Sequence, residues 1–420
     1  MTKRIVITGM GAVSPLGVGV EHSWKRLLEG KSGVRKIERI GDLPVEIAGT
    51  VPDIGADPEA GFDASVFVNP KEARRMDRFI IFALAAASEA IRQSGWVPST
   101  DEEKARTATV IASGIGGLNY IRDAVNSINE SGVRRVSPFT VPGFLVNMAS
   151  GQVSIKYGFR GPLGAPATAC AAGVQAIGDA VRMIQNDEAD IAICGGSEAC
   201  INEVSIGGFV AAKAMATSFN DRPQEASRPF DADRDGFIIA EGAGLMVIET
   251  LEHALARGAK PIAEIVGYGT SADAYHVTAS PEDGAGAQRC MRVALKKAGV
   301  EPGAVKYINA HSTSTMVGDK GELAAVKAVF GPKNVAVSST KSSTGHLLGA
   351  AGGLAGIFTA MSLVNQVVPF NLNCHQPDED ARDVDLVLGE PRAIEMDYAL
   401  CNGFGFGGVN ASLLLKAWRD

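Results

Sequence analysis

Short apolar runs broken by glycine recur along the whole chain. Residues 4–8 run into Gly9-Met10-Gly11, residues 108–112 into Ser113-Gly114-Ile115-Gly116-Gly117, and residues 191–194 into Gly195-Gly196-Ser197-Glu198. Residues 245–249 lead into the helical pattern 251–257. Further runs at 263–266, 305–309, 335–337 and 398–401 end in Gly-Tyr-Gly, Ala-His-Ser, Ser-Ser-Thr-Lys and Asn-Gly-Phe-Gly-Phe-Gly-Gly. β-Branched runs of this length, punctuated by glycine, predict buried strands. Between them the spacing changes to three and four. Val174, Ile177, Val181 and Ile184 define one amphipathic helix, and the Ala/Leu-rich stretch 349–363 predicts another. Strands alternating with helices predict an α/β architecture. Glycine and proline at 258 and 261 stop a helix near the middle of the chain. This divides it into an N-terminal half, 1–257, and a C-terminal half, 258–420, each built of strand–glycine-turn–helix units.

Composition narrows the class. The chain has 420 residues, 46% of them apolar, and a formal net charge of −7. A large core is available, and the acidic balance argues against non-specific nucleic-acid binding. The N-terminal apolar run is too short for a signal peptide, and no uninterrupted apolar run approaches the ~20 residues of a membrane helix. A cytoplasmic protein is therefore expected. The six cysteines show no C-x-x-C pair and no secretory context, so free thiols are expected rather than disulfides or zinc. Gly9-Met10-Gly11 after a strand is half a dinucleotide fingerprint, but Ser14 stands where the third glycine belongs. It reads as a tight turn without a cofactor.

Candidate chemistry concentrates in one thiol and two imidazoles. Cys170 lies in Ala167-Thr168-Ala169-Cys170-Ala171-Ala172-Gly173, where a helical pattern begins. A buried cysteine is usually a small hydrophobe. At a helix N-terminus, however, the macrodipole favours thiolate, so a lowered pKa is expected. His311 follows a strand in a hydroxyl-rich turn, and His346 lies between Gly345 and Leu347. Neutral imidazoles there could donate to an oxygen that gains charge. His22, His253, His276 and His375 read as structural. Lys341, among small hydroxyl residues, needs a partner if buried. A basic cluster, Lys71, Arg74, Arg75 and Arg78, stands out on an acidic chain.

Four blocks in order carry a family resemblance: Thr168-Ala169-Cys170, NAHSTST-x-x-GDK around His311, TKSSTGHLLGAAG around His346, and the terminal NGFGFGG. The chain resembles the β-ketoacyl-[acyl-carrier-protein] synthases, most of all the elongating synthase II type of bacterial fatty-acid synthesis. The likeness runs from Thr8 to Asn410. It implies a thiolase-like fold of two pseudo-duplicated halves in five alternating helix and sheet layers, and a homodimer. It also implies decarboxylative condensation of a malonyl with an acyl thioester, both on acyl carrier protein, with no resident cofactor or metal because the phosphopantetheine arm arrives on the carrier. By resemblance Cys170 is the nucleophile and His311 and His346 assist decarboxylation, with Lys341, Asp319 and Glu322 in support. Phe406, with Phe404, gates the acyl pocket, and the Phe406 N–H joins that of Cys170 in an oxyanion hole. Ile115 and Phe209 line the acyl pocket, and Thr313 and Thr315 hold the pantetheine arm. Lys71, Arg74, Arg75, Arg134, Arg135 and Lys213 dock the carrier. Two departures stand out: Ala355 where relatives carry glutamate, and Ser312 where they carry glycine. Two rivals remain. A thiolase acting on coenzyme A esters would use Cys401 as a second thiol. A chain-length-factor-like partner would bind acyl chains without turnover.

Overall fold

The computed structural model describes residues 3–38 and 40–419. Its centre is a twelve-stranded mixed sheet. The strands that build the halves are β1 (Ile5–Ser14), β2 (Thr107–Ala112), β3 (Leu163–Gly164), β4 (Ile191–Glu198), β5 (Gly242–Thr250), β6 (Ala263–Ala272), β7 (Val305–Asn309), β8 (Ala336–Ser338), β9 (Asp385–Leu386), β10 (Tyr398–Gly405) and β11 (Val409–Ala417). The helices that matter here are α1 (Arg78–Ser94), α2 (Leu118–Ser131), α3 (Ala172–Gln185), α4 (Ala285–Ala298), α5 (Met316–Phe330) and α6 (Ala351–Asn365).

Strand order repeats outward from the middle. One set runs β1-β5-β4-β2-β3 and the other β6-β11-β10-β7-β8-β9. In each set the first two pairings are antiparallel and the next two parallel. The sets are joined where Ile5–Ile7 of β1 pairs antiparallel with Ala263–Ile265 of β6. Helices complete the layers. α1 packs on β1 and β5, α4 packs on β6 and β11, and α3 and α6 lie between the two sets, touching β4 and β10. The result is helix, sheet, paired helices, sheet, helix, as the resemblance implies. The central helix α6 is buried from Ala351 to Leu363 on every side, which its all-round apolar sequence demands. Residues Leu348–Asn365 are long and apolar enough to cross a membrane, yet 89% of that window is buried inside the protein.

The strands are longer than the apolar runs suggest, because they continue through their glycines. β1 keeps Gly9 and Gly11, and a Cβ there would fall 2.1 and 2.0 Å from the carbonyl oxygens of Ala90 and Ala86 in α1. β6 repeats the arrangement. A Cβ at Gly267 or Gly269 would lie 2.3 or 2.0 Å from the carbonyls of Ala294 and Cys290 in α4. These glycines let helix backbones press onto the sheet, and that is the work of the half-fingerprint at Gly9-Met10-Gly11.

Candidate active site

One cavity of about 280 Å³ receives Cys170, His311 and His346. Cys170 is reached from β3 through a short 3₁₀ turn, Ala169–Ala171, one step before α3. Ala169 takes φ 48°, a left-handed conformation that costs a non-glycine residue about 1–3 kcal/mol. The surrounding packing holds this strain and fixes the thiol at the sheet end. The backbone N–H groups of Cys170 and Phe406 both reach the Cys170 sulfur. Gly405 makes that approach possible, since a Cβ there would stand 2.8 Å from the Thr168 carbonyl and 3.1 Å from the Cys170 nitrogen. The helix-start argument predicted a lowered thiol pKa, and here the structure differs. Burial pushes the Cys170 thiol up to about 12, helped by the charge of Glu198 and opposed by Lys341 and the two N–H donors. Desolvation outweighs the dipole, so the resting sulfur is a thiol.

The imidazoles come from the other half. His311 follows β7 and His346 follows the buried turn Lys341–Thr344. Their ring centroids lie 5.5 Å apart with planes at 84°. Phe237 stands edge-on to His346, and Phe404 tilts against His311, each at 5.5 Å. Burial holds both histidines well below their usual pKa, and the charge of Lys341 adds to it. Both rings are therefore neutral near pH 7, with one N–H each to offer. The Nδ1 of His346 has no partner among the described residues.

Buried polar residues hold this half in place. Glu322, on α5, accepts from the backbone N–H groups of His311 (2.9 Å) and Ser312 (2.6 Å), from the Ser312 hydroxyl (2.7 Å) and from Asn402 Nδ2 (3.0 Å). Ser312 thus adds a hydroxyl to the carboxylate's partners. Lys341 is only 3% exposed and donates to the Ala310 carbonyl at 3.3 Å. Burial lowers its pKa and Glu322 opposes the shift. Asp319 accepts from the N–H groups of Thr313, Ser314 and Phe230 and lies 3.5 Å from Arg234. Burial raises its carboxyl to about 6. At Ala355 no carboxylate is present. Its carbonyl instead accepts from Asn309 and Thr359.

Other expected residues divide. Phe209, Thr313, Thr315, Phe404 and Phe406 line the cavity, and Lys213 sits at its edge, exposed. Phe406 is 38% exposed and its ring lies 6.3 Å from that of Phe209. Ile115 does not line the cavity. It packs behind it in the apolar cluster that also contains Cys170, Phe209 and Leu348. Lys71, Arg74, Arg134 and Arg135 are exposed, whereas Arg75 packs its guanidinium over Phe139 at 4.1 Å. The Tyr120 hydroxyl donates to the Arg74 carbonyl at 3.0 Å, tying the basic segment to α2. Arg78 departs from the cluster by pairing with Glu241. Cys401 is fully buried in β10 and does not line the cavity. A larger open groove of about 670 Å³ beside Trp418 contains neither cysteine nor histidine.

Sequence reasoning missed Phe237, Asn402 and Glu198. Asn402 begins the terminal glycine block and Glu198 ends a strand, but only tertiary contact reveals what each one holds.

The chain matches the β-ketoacyl synthase N-terminal domain over residues 2–254 and the C-terminal domain over residues 262–375. It belongs to the β-ketoacyl synthase family. It is 50% identical over 420 residues to 3-oxoacyl-[acyl-carrier-protein] synthase 2 of Rhizobium meliloti (strain 1021), covering 99% of each chain. It is 46% identical to the mitochondrial 3-oxoacyl-[acyl-carrier-protein] synthase of Arabidopsis thaliana, covering 99% of this chain and 93% of the other. Among solved structures, the synthase fold matches a β-ketoacyl synthase from Burkholderia phymatum STM815 with TM-score 0.90 and 32% identity, covering 99% and 100% of the two chains. It matches equally, at TM-score 0.90, 32% identity and full coverage of both chains, a type II polyketide ketosynthase in complex with its acyl-carrier protein and bound to a hexaketide.

Proposed function

We propose that this synthase condenses malonyl-[acyl-carrier protein] with an acyl chain held on Cys170, giving 3-oxoacyl-[acyl-carrier protein] and carbon dioxide in fatty-acid elongation. The observation that carries the reading is a single cavity holding one thiol and two neutral imidazoles. The sulfur of Cys170 attacks the acyl thioester and expels the carrier's thiol, which receives the proton that Cys170 loses. The oxyanion of the tetrahedral intermediate forms where the Cys170 and Phe406 N–H groups converge. Malonyl thioester then enters. Its carboxylate leaves as carbon dioxide, and N–H donation from His311 and His346 stabilises the enolate oxygen. The resulting carbanion attacks the acyl carbonyl, the carbon–carbon bond forms, the bond from that carbon to the Cys170 sulfur breaks, and the departing thiolate takes a proton from solvent.

Lys341, Glu322 and Asp319 support this chemistry by fixing the imidazole turns. Thr313 and Thr315, whose hydroxyls lie 3.3 Å apart, hold the pantetheine arm. On this reading no resident cofactor or metal is required. Acyl carrier protein docks on the exposed basic residues Lys71, Arg74, Arg134, Arg135 and Lys213, with Arg75 at their rim. A homodimer fits the edge of the sheet at β3, where Leu163 is exposed; an open edge invites pairing. Six free thiols among the described residues support a cytoplasmic location. The thiolase reading needs a second thiol in the cavity, and Cys401 is not there. The deciding experiment is condensation of malonyl- with acyl-carrier protein by the wild type and by Cys170→Ala. Release of carbon dioxide and 3-oxoacyl product by the wild type alone supports the reading. Condensation of two acyl-coenzyme A esters without carbon dioxide release would overturn it.

A further inference from the structure

Glu198 ends β4 with a side chain that is 0% exposed. Its Oε1 accepts from the Ser113 hydroxyl at 2.6 Å and from the Ile115 N–H at 3.4 Å. Its Oε2 accepts from the N–H groups of Gly114 at 2.7 Å and Gly349 at 3.0 Å. Every partner is a donor. The Ser113 oxygen in turn accepts from the Gly116 N–H at 2.8 Å. A carboxylate with two oxygens can serve four donors, which no neutral side chain does. Three turns meet at this one group. A Cβ on Gly114 would lie 3.0 Å from Glu198 Oε2 and 3.5 Å from both the Ala169 carbonyl and the Gly349 nitrogen. A Cβ on Gly349 would lie 2.2 Å from the Gly114 nitrogen. The turn 113–116, the turn before Cys170 and the turn 348–350 are thus packed backbone to backbone around the carboxylate.

Burying a charge without a cationic partner costs free energy, and among the described residues no ion pair includes Glu198; burial accordingly raises its pKa, and the four donors from Ser113, Gly114, Gly349 and Ile115 oppose that rise. Its charge also opposes ionisation of Cys170. It therefore hinders the nucleophile electrostatically while organising its surroundings. The side chains on the turns it holds, Ile115 and Leu348, share one apolar cluster with Cys170 and Phe209.

We propose that Glu198 is a positioning residue that pins the turn carrying Ile115 to the turn carrying Leu348, and thereby sets which acyl chains Cys170 accepts. The inference rests on the condensing-enzyme reading for the identity of the acyl donor. It is tested with Glu198→Asp, Glu198→Gln and Ser113→Ala, comparing acylation of Cys170 by short- and long-chain acyl-carrier proteins and the pH dependence of Cys170 alkylation. Glu198→Asp keeps the charge but shortens the reach, and Ser113→Ala deletes one donor to Glu198 together with the acceptor of the Gly116 N–H. Both should change the long-to-short acylation ratio by about tenfold, the worth of one hydrogen bond to a charged group. Both should leave the alkylation midpoint in place. Glu198→Gln should change the ratio and also shift alkylation to lower pH, because the opposing charge is gone. Should Glu198→Gln fold poorly, Ser113→Ala still decides. An unchanged ratio in Glu198→Asp and Ser113→Ala, or an equal loss at every chain length, would overturn the proposal. A wild type that acylates Cys170 but releases no carbon dioxide would sink the condensation reading alone, and the ratios would still judge Glu198.

Discussion

Glu198 in one half of the synthase and Glu322 in the other are buried carboxylates that each collect four hydrogen bonds, and the two are used differently. Glu198 holds glycine-rich backbone around the thiol, and its donors are three peptide N–H groups and one serine. Glu322 holds the His311 turn, and one of its donors, Asn402, is itself fixed by accepting from Ser412 at 2.7 Å. The positive charge of Lys341 acts on Glu322, and no cation pairs with Glu198 among the described residues. The thiol side is thus an apolar chamber shaped by close-packed backbone. The imidazole side is a polar, preorganised site in which charge can develop. A reaction in two steps fits this division: shape governs which acyl chain is accepted, and electrostatics govern decarboxylation.

The sharpest break between the halves is expected from their reacting residues. Cys170→Ala should abolish the acyl-enzyme, seen by mass spectrometry after incubation with acyl-carrier protein, whereas Cys401→Ala and Cys194→Ala should retain it. An adduct on either of those cysteines would reverse the assignment. His311→Ala and His346→Ala should leave acylation largely in place and slow malonyl decarboxylation by ~10²–10³, the usual loss for one preorganised donor. Both rings stay neutral far below pH 6.5, so the decarboxylation rate should show no histidine titration between pH 6 and 7.

Next in size are the supports. Glu322→Gln turns an amide N–H toward groups that are themselves donors, and each unmade bond to a charged group is worth about 1.5–3 kcal/mol. Decarboxylation should fall with acylation spared, the reverse of the selectivity expected from Glu198. Asp319 adds a pH signature. Its folded value of about 6 lies above its ordinary value, so its contribution to stability is present below about pH 4 and lost as the pH rises through 6. Binding runs the other way. Only the carboxylate fully serves the N–H groups of Thr313 and Ser314, so KM for malonyl-carrier protein should rise below pH 6 while kcat changes less. Asp319→Asn should flatten that profile. A KM independent of pH in the wild type would remove Asp319 from the binding of the pantetheine arm.

The thiol side was more legible than the imidazole side. Cys170 with its small neighbours, and the glycine after each strand, are local features, so the α/β class and the positions of the key residues follow from the chain itself. The glycines misled only about strand ends, because packing against α1 and α4 happens in space and leaves no local mark. The apolar runs do not predict Val409–Ala417 as a strand, although it lies between β6 and β10 in the second set. A helix start is visible in sequence and predicts a lowered thiol pKa, whereas desolvation, which is not visible there, raises it. Glu322 was placed by resemblance, yet its bond to Asn402 joins residues 80 positions apart. The partners of Glu198 are similarly distant, which is why a strand-end glutamate passed as ordinary.

A smaller effect comes from the gate. Phe406 is partly exposed and leans on Phe209, and the next residue, Gly407, donates its N–H to the Val277 carbonyl at 2.8 Å. Phe406→Ala removes the ring but keeps the N–H that faces Cys170. The oxyanion site should survive while acylation or chain-length preference shifts. Gly407→Pro, which deletes the bond to Val277 and, with φ fixed at about −65°, cannot keep the φ of 85° that Gly407 adopts, should slow acylation. If neither variant changes the kinetics, Phe406 is packing only.

The smallest effect is expected at the rim, where the two sides of the site share one carrier. Arg74 is exposed and its carbonyl accepts from Tyr120, so its charge can be changed without disturbing that bond. Arg75 also packs over Phe139, and its reversal removes a contact as well as a charge. Rim charges act mainly on association. Arg74→Glu should therefore raise KM for both acyl- and malonyl-carrier protein, with little change for short pantetheine thioesters, and the defect should shrink as salt screens it. Arg75→Glu should add a salt-insensitive part from the lost stacking, which Arg75→Ala would reproduce. Because the same carrier serves both steps, the two KM values should rise together. A rise in only one of them would show that acyl and malonyl carriers approach by different faces, and would extend the division between the halves to the surface.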